Sequence, residues 1–515
     1  MGTLQMASDH SFNNPPFAPR LPEIIGRDLE LKAIREAIKD SANSHILYFC
    51  GPGGLGKTRL LEEVDILAQE KEMPPFFSTP LIDLYDAKYH SPGGLRAAII
   101  EGLEAESYFL GYSEKRKEYL EKRDAGVRSD ALEIIRREQD EIFHEEYALF
   151  AQDRRLVLRF DTMELAQYES DIVQDVCGVE DVDTVTKNWL EKNVSLLPNT
   201  VTLFAGRPNE QMQADFEEHF GQSDCHYKKY DLGFLSAEQT EQYLQKLIEL
   251  LPNESELQQY LTQKANRDRL YSLTIGRPIY LTLIIEILLH GSEEVRDILP
   301  PHLDAEHAGR MIEKDQDVVG KHLIEYLYTK FPSPFGEMVY ILLHARKGLD
   351  ENLLRPLMGD SWLEEEIKEN LAQMAHFVFV KTRPDTKQLF LHDEVYELFD
   401  RYFHDAPGYG EIFKTVADYY RQQLDATSRE EREAILVTLL YYEFQLDVYT
   451  GYQQCYARWD EEAIIDRNVG LDMRLRNEGL LFMNRYANEK SPYYAPRVGG
   501  RVNRAAIDRD CAVRW

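Results

Sequence analysis

The chain has 515 residues, 43% of them apolar and 11% aromatic, enough to bury several cores; at roughly 150 residues per domain it predicts three to four domains. Its 59 Lys and Arg against 90 Asp and Glu leave a formal charge of −31, which repels nucleic acid and anionic membranes over the molecule as a whole, so any phosphate must be held locally. Five scattered cysteines (Cys50, Cys177, Cys225, Cys455, Cys511) make no C-x-x-C pair or metal-ligand spacing, no signal-peptide core opens the chain, and the most apolar stretch, Leu273 to Leu289, carries Arg277 and Glu286; a reduced, cytoplasmic setting is expected.

Residues 1–21, rich in Asn, Pro and Ser and lacking periodicity, predict a flexible tail. Over 22–235, β-like apolar runs alternate with helical patterns. The runs are ILYFC (Ile46 to Cys50), PLIDLY (Pro80 to Tyr85), LVLRF (Leu156 to Phe160), TVTLFA (Thr200 to Ala205) and a weaker one near Tyr227 to Leu232. Such alternation predicts a parallel sheet with helices on both faces. Between the second and third runs, the charged segment 113–153 places Leu132, Ile135, Ile142 and Phe143 at helical spacing and predicts a helical insertion with a solvated outer face.

Helical text fills 236–330 and opens on a capping-box pattern, Ser236 followed by Gln239. Over 331–405, helices precede two alternating segments, HFVFVK and QLFLH, on either side of TRPDTK, the order of a winged-helix unit. From 406 to 515 the text is amphipathic helix. Pairs such as Arg429 to Leu446 and Tyr449 to Ile465 would open a helical repeat array, although no fixed period emerges. The final AAIDRDCAVRW reads as mid-helix, as if the array ran on.

The sharpest feature is GPGGLGKT, an ungapped G-x-x-x-x-G-K-[ST]. A strand-like run leads in, and an amphipathic helix with Leu60, Leu61, Val64 and Leu67 leads out, as the phosphate-cradling mechanism requires. Gly51, Pro52, Gly53, Gly54, Leu55 and Gly56 would wrap a phosphate, the glycines letting the backbone turn its N–H groups inward, and Arg59 just behind the loop is counted with the nucleotide-binding residues. Lys57 would meet the β and γ phosphates, and the Thr58 hydroxyl would ligate Mg2+. Asp161, directly after the run LVLRF, is the expected metal partner. Glu164, three residues on, would either polarise the attacking water or serve as the third residue of a cap formed by Asp161. Arg207, at the end of TVTLFAGRP, is placed to touch a γ-phosphate. Arg159 is an odd charge inside an apolar run.

With EIIGRDLELKAI ahead of GPGGLGKT, FDTMEL and FAGRP, the chain resembles the AAA+-related STAND class, the signal-transduction ATPases with numerous domains. LTIGRPIYL resembles the G-x-P signature that ends the family's small helical domain, and FLHDEV its M-H-D motif, with Leu391 in place of Met. The resemblance implies a multidomain α/β plus α fold: an ASCE/AAA+-like P-loop parallel sheet, a helical domain, a winged helix and the start of a TPR-like sensor array. It implies that Ile25, Gly26 and Arg27 line the adenine and ribose end, that Pro278 lies against adenine, and that His392 contacts the β-phosphate of ADP. Thr162 stands where many AAA+ relatives carry a catalytic Glu, so slow hydrolysis is expected.

The function implied is an ATP/ADP-controlled signalling switch. It would be monomeric and autoinhibited with ADP, and would self-assemble with ATP once the C-terminal helices sense an inducer. A DNA-acting AAA+ ATPase is the main alternative, but the helix before the hairpin carries Glu364, Glu365, Glu366 and Glu369 against Lys368, the wrong sign for DNA. A small-molecule kinase is a second alternative, with no acceptor pocket legible and the G-x-P and H-D features unexplained.

Overall fold

The computed structural model describes residues 17–482 apart from 87–88, 90–91, 126, 128, 167–185, 254, 291–312, 360–361, 384–385, 404–408, 425–428, 466–470, 472–473, 477 and 480–481. Most of the expected tail, Cys177, Cys511 and the closing AAIDRDCAVRW lie outside the described residues. The chain forms two compact units: Arg27–Leu232 with 403–515, and 1–26 with Gly233–Tyr402. The first takes in most of the segments 22–235 and 406–515, the second most of 236–405.

In the first unit, helix α1 (Asp28–Lys39) leads to strand β1 (His45–Cys50), the glycine-rich turn and helix α2 (Lys57–Leu67). Strands β2 (Phe76–Ser78) and β3 (Ile82–Asp83) follow, then helices α3 (Pro92–Gly102), α4 (Leu110–Asp124) and α5 (Ser129–Ala151). Strand β4 (Arg155–Asp161), helix α6 (Thr186–Asn193), strand β5 (Thr200–Gly206), helix α7 (Glu210–Gly221) and strand β6 (His226–Asp231) complete the domain.

The sheet runs β2-β4-β5-β1-β6, with β3 also pairing with β4, and every pairing is parallel. Strands β4 and β5 are buried along their whole length, which is why they read as continuous apolar runs. Strand β6, HYKKYD, lies at the edge with exposed positions and two lysines, so its sequence signal is weak. The run expected over Pro80 to Tyr85 contributes only Ile82–Asp83 to the ladder. Pro80 has no N–H to donate and divides β2 from β3.

The charged insertion is the helix pair α4 and α5. Phe109, Tyr112, Phe143 and Tyr147 bury their rings there in the sheet domain's core. Arg159 is satisfied underneath the sheet: its guanidinium donates to Thr79 O at 2.7 Å, Leu61 O at 3.2 Å and Asp65 at 2.8 Å. It ties β4 to α2 and to the chain before β3.

The second unit opens with α8 (Ala237–Leu250), whose capping box forms as expected: Ser236 Oγ accepts from Gln239 N, and Gln239 Oε1 from Ser236 N. Helices α9 (Glu256–Thr262), α10 (Lys264–Thr274), α11 (Pro278–His290) and α12 (Glu313–Thr329) follow. Then come α13 (Phe335–His344), α14 (Glu351–Met358), α15 (Glu364–Met374) and the antiparallel hairpin β7 (Val380–Thr382) and β8 (Leu389–Leu391). Leu349, between α13 and α14, bridges to Leu389, which gives the helices-then-hairpin unit a third short edge.

Helix α16 (Asp393–Phe403) closes the unit, with Asp400 held by the buried Arg346 through two hydrogen bonds. Residues 17–21 are docked rather than loose. Phe17 packs on His376 and edge-on to Phe377, Ala18 N donates to the buried Glu286 carboxylate at 3.3 Å, and Leu21 is buried.

Among the C-terminal helices, α17 (Tyr409–Leu424) and α18 (Arg429–Leu446) pack through stacked Tyr420 and Tyr442, rings 5.8 Å apart. The helix expected from Tyr449 to Ile465 is divided into α19 (Val448–Thr450), a π turn (Gly451–Tyr456) and α20 (Ala457–Ile465). Gly451 is pressed against the Glu443 and Phe444 backbone, where a Cβ would sit 3.0 Å from it. No described helix is long and apolar enough to cross a membrane.

Candidate active site at the glycine-rich loop

Strand β1 delivers the loop at the carboxyl edge of the sheet, beside β5: Gly51 N donates to Gly206 O, and Leu232 N to Cys50 O. Gly54 and Gly56 adopt φ of +73° and +81°, left-handed conformations that glycine takes without strain. A Cβ on Gly56 would meet nothing within 4 Å, so the loop has open space beside it. Helix α2 begins at Lys57 with no side-chain cap and no acidic residue in its first turn, which leaves its positive end undiluted for an anion.

Lys57 Nζ folds back over the loop, donating to Gly51 O at 2.6 Å and Pro52 O at 2.8 Å. Arg27, nearly buried, donates to Leu55 O at 3.0 Å from the other side, and burial lowers its pKa. Of the three residues expected at the adenine end, Arg27 therefore touches the loop itself, whereas Ile25 and Gly26 belong to the other compact unit.

Thr58 Oγ1 donates to Asp161 Oδ2 at 2.6 Å across 103 residues of sequence, with β5 lying between the strands that carry the loop and the carboxylate. Asp161 Oδ1 accepts from Thr162 N at 2.8 Å. No described group of three or more His, Cys, Asp or Glu gathers for a metal. A hydroxyl and one carboxylate are hard oxygen donors, a set that suits Mg2+ when phosphate oxygens and water complete the octahedron.

Glu164 and Arg207 meet each other: Arg207 N donates to Glu164 Oε2 at 2.9 Å, and Arg207 Nε lies 3.4 Å from Oε1. Burial, opposed by Arg207, raises the Glu164 pKa. Asp83 belongs to no motif in the sequence. It lies opposite Asp161 in the β3–β4 register, and Thr162 Oγ1 donates to its Oδ1 at 2.6 Å. Its signal was the same as that of Asp161, an Asp straight after an apolar position, but in a run too short to stand out.

In the other unit, Gly276 and Pro278 form the entry to α11. Ile275 and Gly276 have φ of +48° and +70°, and Pro278 takes the first helical position, where its missing N–H costs nothing. Between them Arg277 forms a 2.7 Å ion pair with the buried Glu394, two residues past His392. That ion pair ties the G-x-P turn to the end of the hairpin. His392 N donates to Phe379 O, and its carbonyl receives Val395 N at the start of α16. Desolvation first, then the charges of Lys381 and Arg20, pushes the His392 pKa down to about 3, so the ring is neutral near pH 7.

No protein-family model and no curated protein matches the chain. Among solved structures it is similar to a STAND protein with a tetratricopeptide repeat sensor from Pyrococcus horikoshii, at 14% identity and a TM-score of 0.41, covering 90% of this chain and 55% of that one. It is also similar to the ORC2 protein of Aeropyrum pernix in ADPNP and ADP complexes, at 14% identity, TM-score 0.31 and coverage of 79% and 96%. A third likeness is to Cdc6p of Pyrobaculum aerophilum, at 13% identity, TM-score 0.31 and coverage of 80% and 98%. The chain thus spans little more than half the length of the first.

Proposed function

We propose that this chain is a nucleotide-controlled molecular switch that binds ADP and ATP at the Gly51–Thr58 loop. The observation that carries the reading is the Thr58–Asp161 hydrogen bond, which joins the loop hydroxyl to a strand-end carboxylate beside an uncapped helix N-terminus. Lys57 would exchange its two loop carbonyls for phosphate oxygens, and Thr58 and Asp161 would hold Mg2+, which neutralises charge on those oxygens. Arg207, held beside Glu164, would touch the γ-phosphate and report its presence.

By the family resemblance, Pro278 and His392 would contact the adenine and the β-phosphate of ADP, with Ile25, Gly26 and Arg27 at the adenine and ribose end. ADP would favour the closed, monomeric form, and ATP with an inducer would favour self-assembly, hydrolysis resetting the switch slowly.

Fluorescent ADP and ATP titrations test the site. Wild type should bind both, whereas K57A and D161N should lose most of that affinity; a folded wild-type chain that binds neither nucleotide refutes the reading. Light scattering after size exclusion, with ADP or a non-hydrolysable ATP analogue and a candidate inducer, tests the switch. Monomers under every condition would remove assembly from it.

A further inference from the structure

We propose, on the premise that the Gly51–Thr58 loop holds ATP, that Asp83 orients the attacking water and accepts its proton, with Thr162 as the residue that positions it. Three hydrogen bonds connect the loop to Asp83 in series: Thr58 Oγ1 to Asp161 Oδ2, Thr162 N to Asp161 Oδ1, and Thr162 Oγ1 to Asp83 Oδ1. Thr162 is the joint of that series. It is β-branched yet held at a φ of +59°, a backbone region that such residues seldom enter. That conformation lets one residue give its N–H to one carboxylate and its hydroxyl to the other, so two adjacent anions are each served by a separate donor.

The oxygens left over decide the role. Both oxygens of Asp161 are taken, one by Thr58 and one by Thr162. Those of Glu164 face Arg207, in a residue that is 8% exposed. Asp83 Oδ1 accepts from Thr162 and from Tyr85 N at 3.0 Å, whereas its Oδ2 takes no hydrogen bond among the described residues, and the residue is part-exposed. Of Asp161, Glu164 and Asp83, Asp83 alone has, among the described residues, an oxygen with neither a hydrogen bond nor an ion pair, and that oxygen is left for water.

In the step itself the water oxygen forms a bond to the γ-phosphorus. The bond from that phosphorus to the bridging oxygen breaks, its electron pair leaving on ADP. One water proton passes to Asp83 Oδ2 and then to solvent.

The test uses the full chain with D83N, T162V, T162S and E164Q, reading fluorescent-nucleotide affinity and single-turnover cleavage of γ-labelled ATP side by side. D83N should bind ATP and ADP within about twofold of wild type and cleave ATP about 10²- to 10⁴-fold more slowly. T162V should slow cleavage, and T162S, which keeps the hydroxyl, should restore it. Should D83N fold poorly, the T162V and T162S pair carries the same test with the carboxylate intact.

Wild-type cleavage by D83N, loss of cleavage in E164Q instead, or a wild-type chain that holds ATP without cleaving it would each overturn the proposal while leaving the nucleotide site standing. A wild-type chain that binds neither nucleotide removes the premise, and the proposal falls with it.

Discussion

Arg159 and His392 show how a single side chain's environment sets its state. An arginine within LVLRF looks out of place until the fold brings Thr79 O, Leu61 O and Asp65 around its guanidinium. Removing it should leave the Thr79 carbonyl buried without a donor. R159M is therefore expected to lose about 1–3 kcal/mol in urea unfolding, a loss of the size that an unsatisfied buried group costs. His392 is neutral because desolvation and two nearby cations oppose its protonation. A histidine whose folded pKa is depressed costs stability as pH falls below about 6.5, where the unfolded chain takes up a proton and the folded chain does not. The His392 ring carbon resonance should stay fixed from pH 8 to 5, and H392N should unfold less readily in acid than wild type. A normal titration midpoint near 6.5 would refute this.

Turns and caps carry unequal weight, and two adjacent ones in the second unit make the contrast measurable. The capping box at Ser236 satisfies one end of α8, and S236A should cost about 1 kcal/mol. Gly276 is far less replaceable: a Cβ there would stand 1.8 Å from Leu235 O, backbone rather than a movable side chain, at a φ of +70°. G276A should therefore lower the melting temperature much further than S236A, and equal effects would mean that the G-x-P turn relaxes freely. The capping box was legible because its two residues are three apart. The 1.8 Å approach was not, because Leu235 lies 41 positions before Gly276 and nothing local marks the meeting. Likewise, the π turn at Gly451 follows from the closeness of Glu443 and Phe444, and the helical period running through Tyr449 to Ile465 masks it.

Charge acts on the molecule in two ways, as a field and as single buried pairs. A formal charge of −31, with Glu364, Glu365, Glu366 and Glu369 all exposed on α15, argues against a duplex lying along that helix. Fluorescence anisotropy with duplex DNA should give no specific binding at about 0.15 M salt, and affinity that falls steeply with added salt would restore the DNA-acting reading. The Arg277–Glu394 pair is the opposite case, a local bond between the two motifs that resemblance places at the nucleotide. R277M removes the charge opposite the buried Glu394 and should cost about 3–5 kcal/mol, with the swap R277E/E394R recovering part of it. If R277M leaves stability unchanged, the pair holds nothing.

Composition and periodicity by themselves determined the α/β-then-helical order, the winged-helix hairpin and the Gly51–Thr58 turn, because each rests on interactions between residues a few positions apart. The tertiary structure alone decided which carboxylate serves which partner. Asp161 and Thr58 are 103 positions apart, and Asp83 and Thr162 are 79 apart, so the register of parallel strands brings them together. Local sequence contains no record of that register, because parallel strands are joined by long crossovers and either neighbour offers the same backbone donors and acceptors.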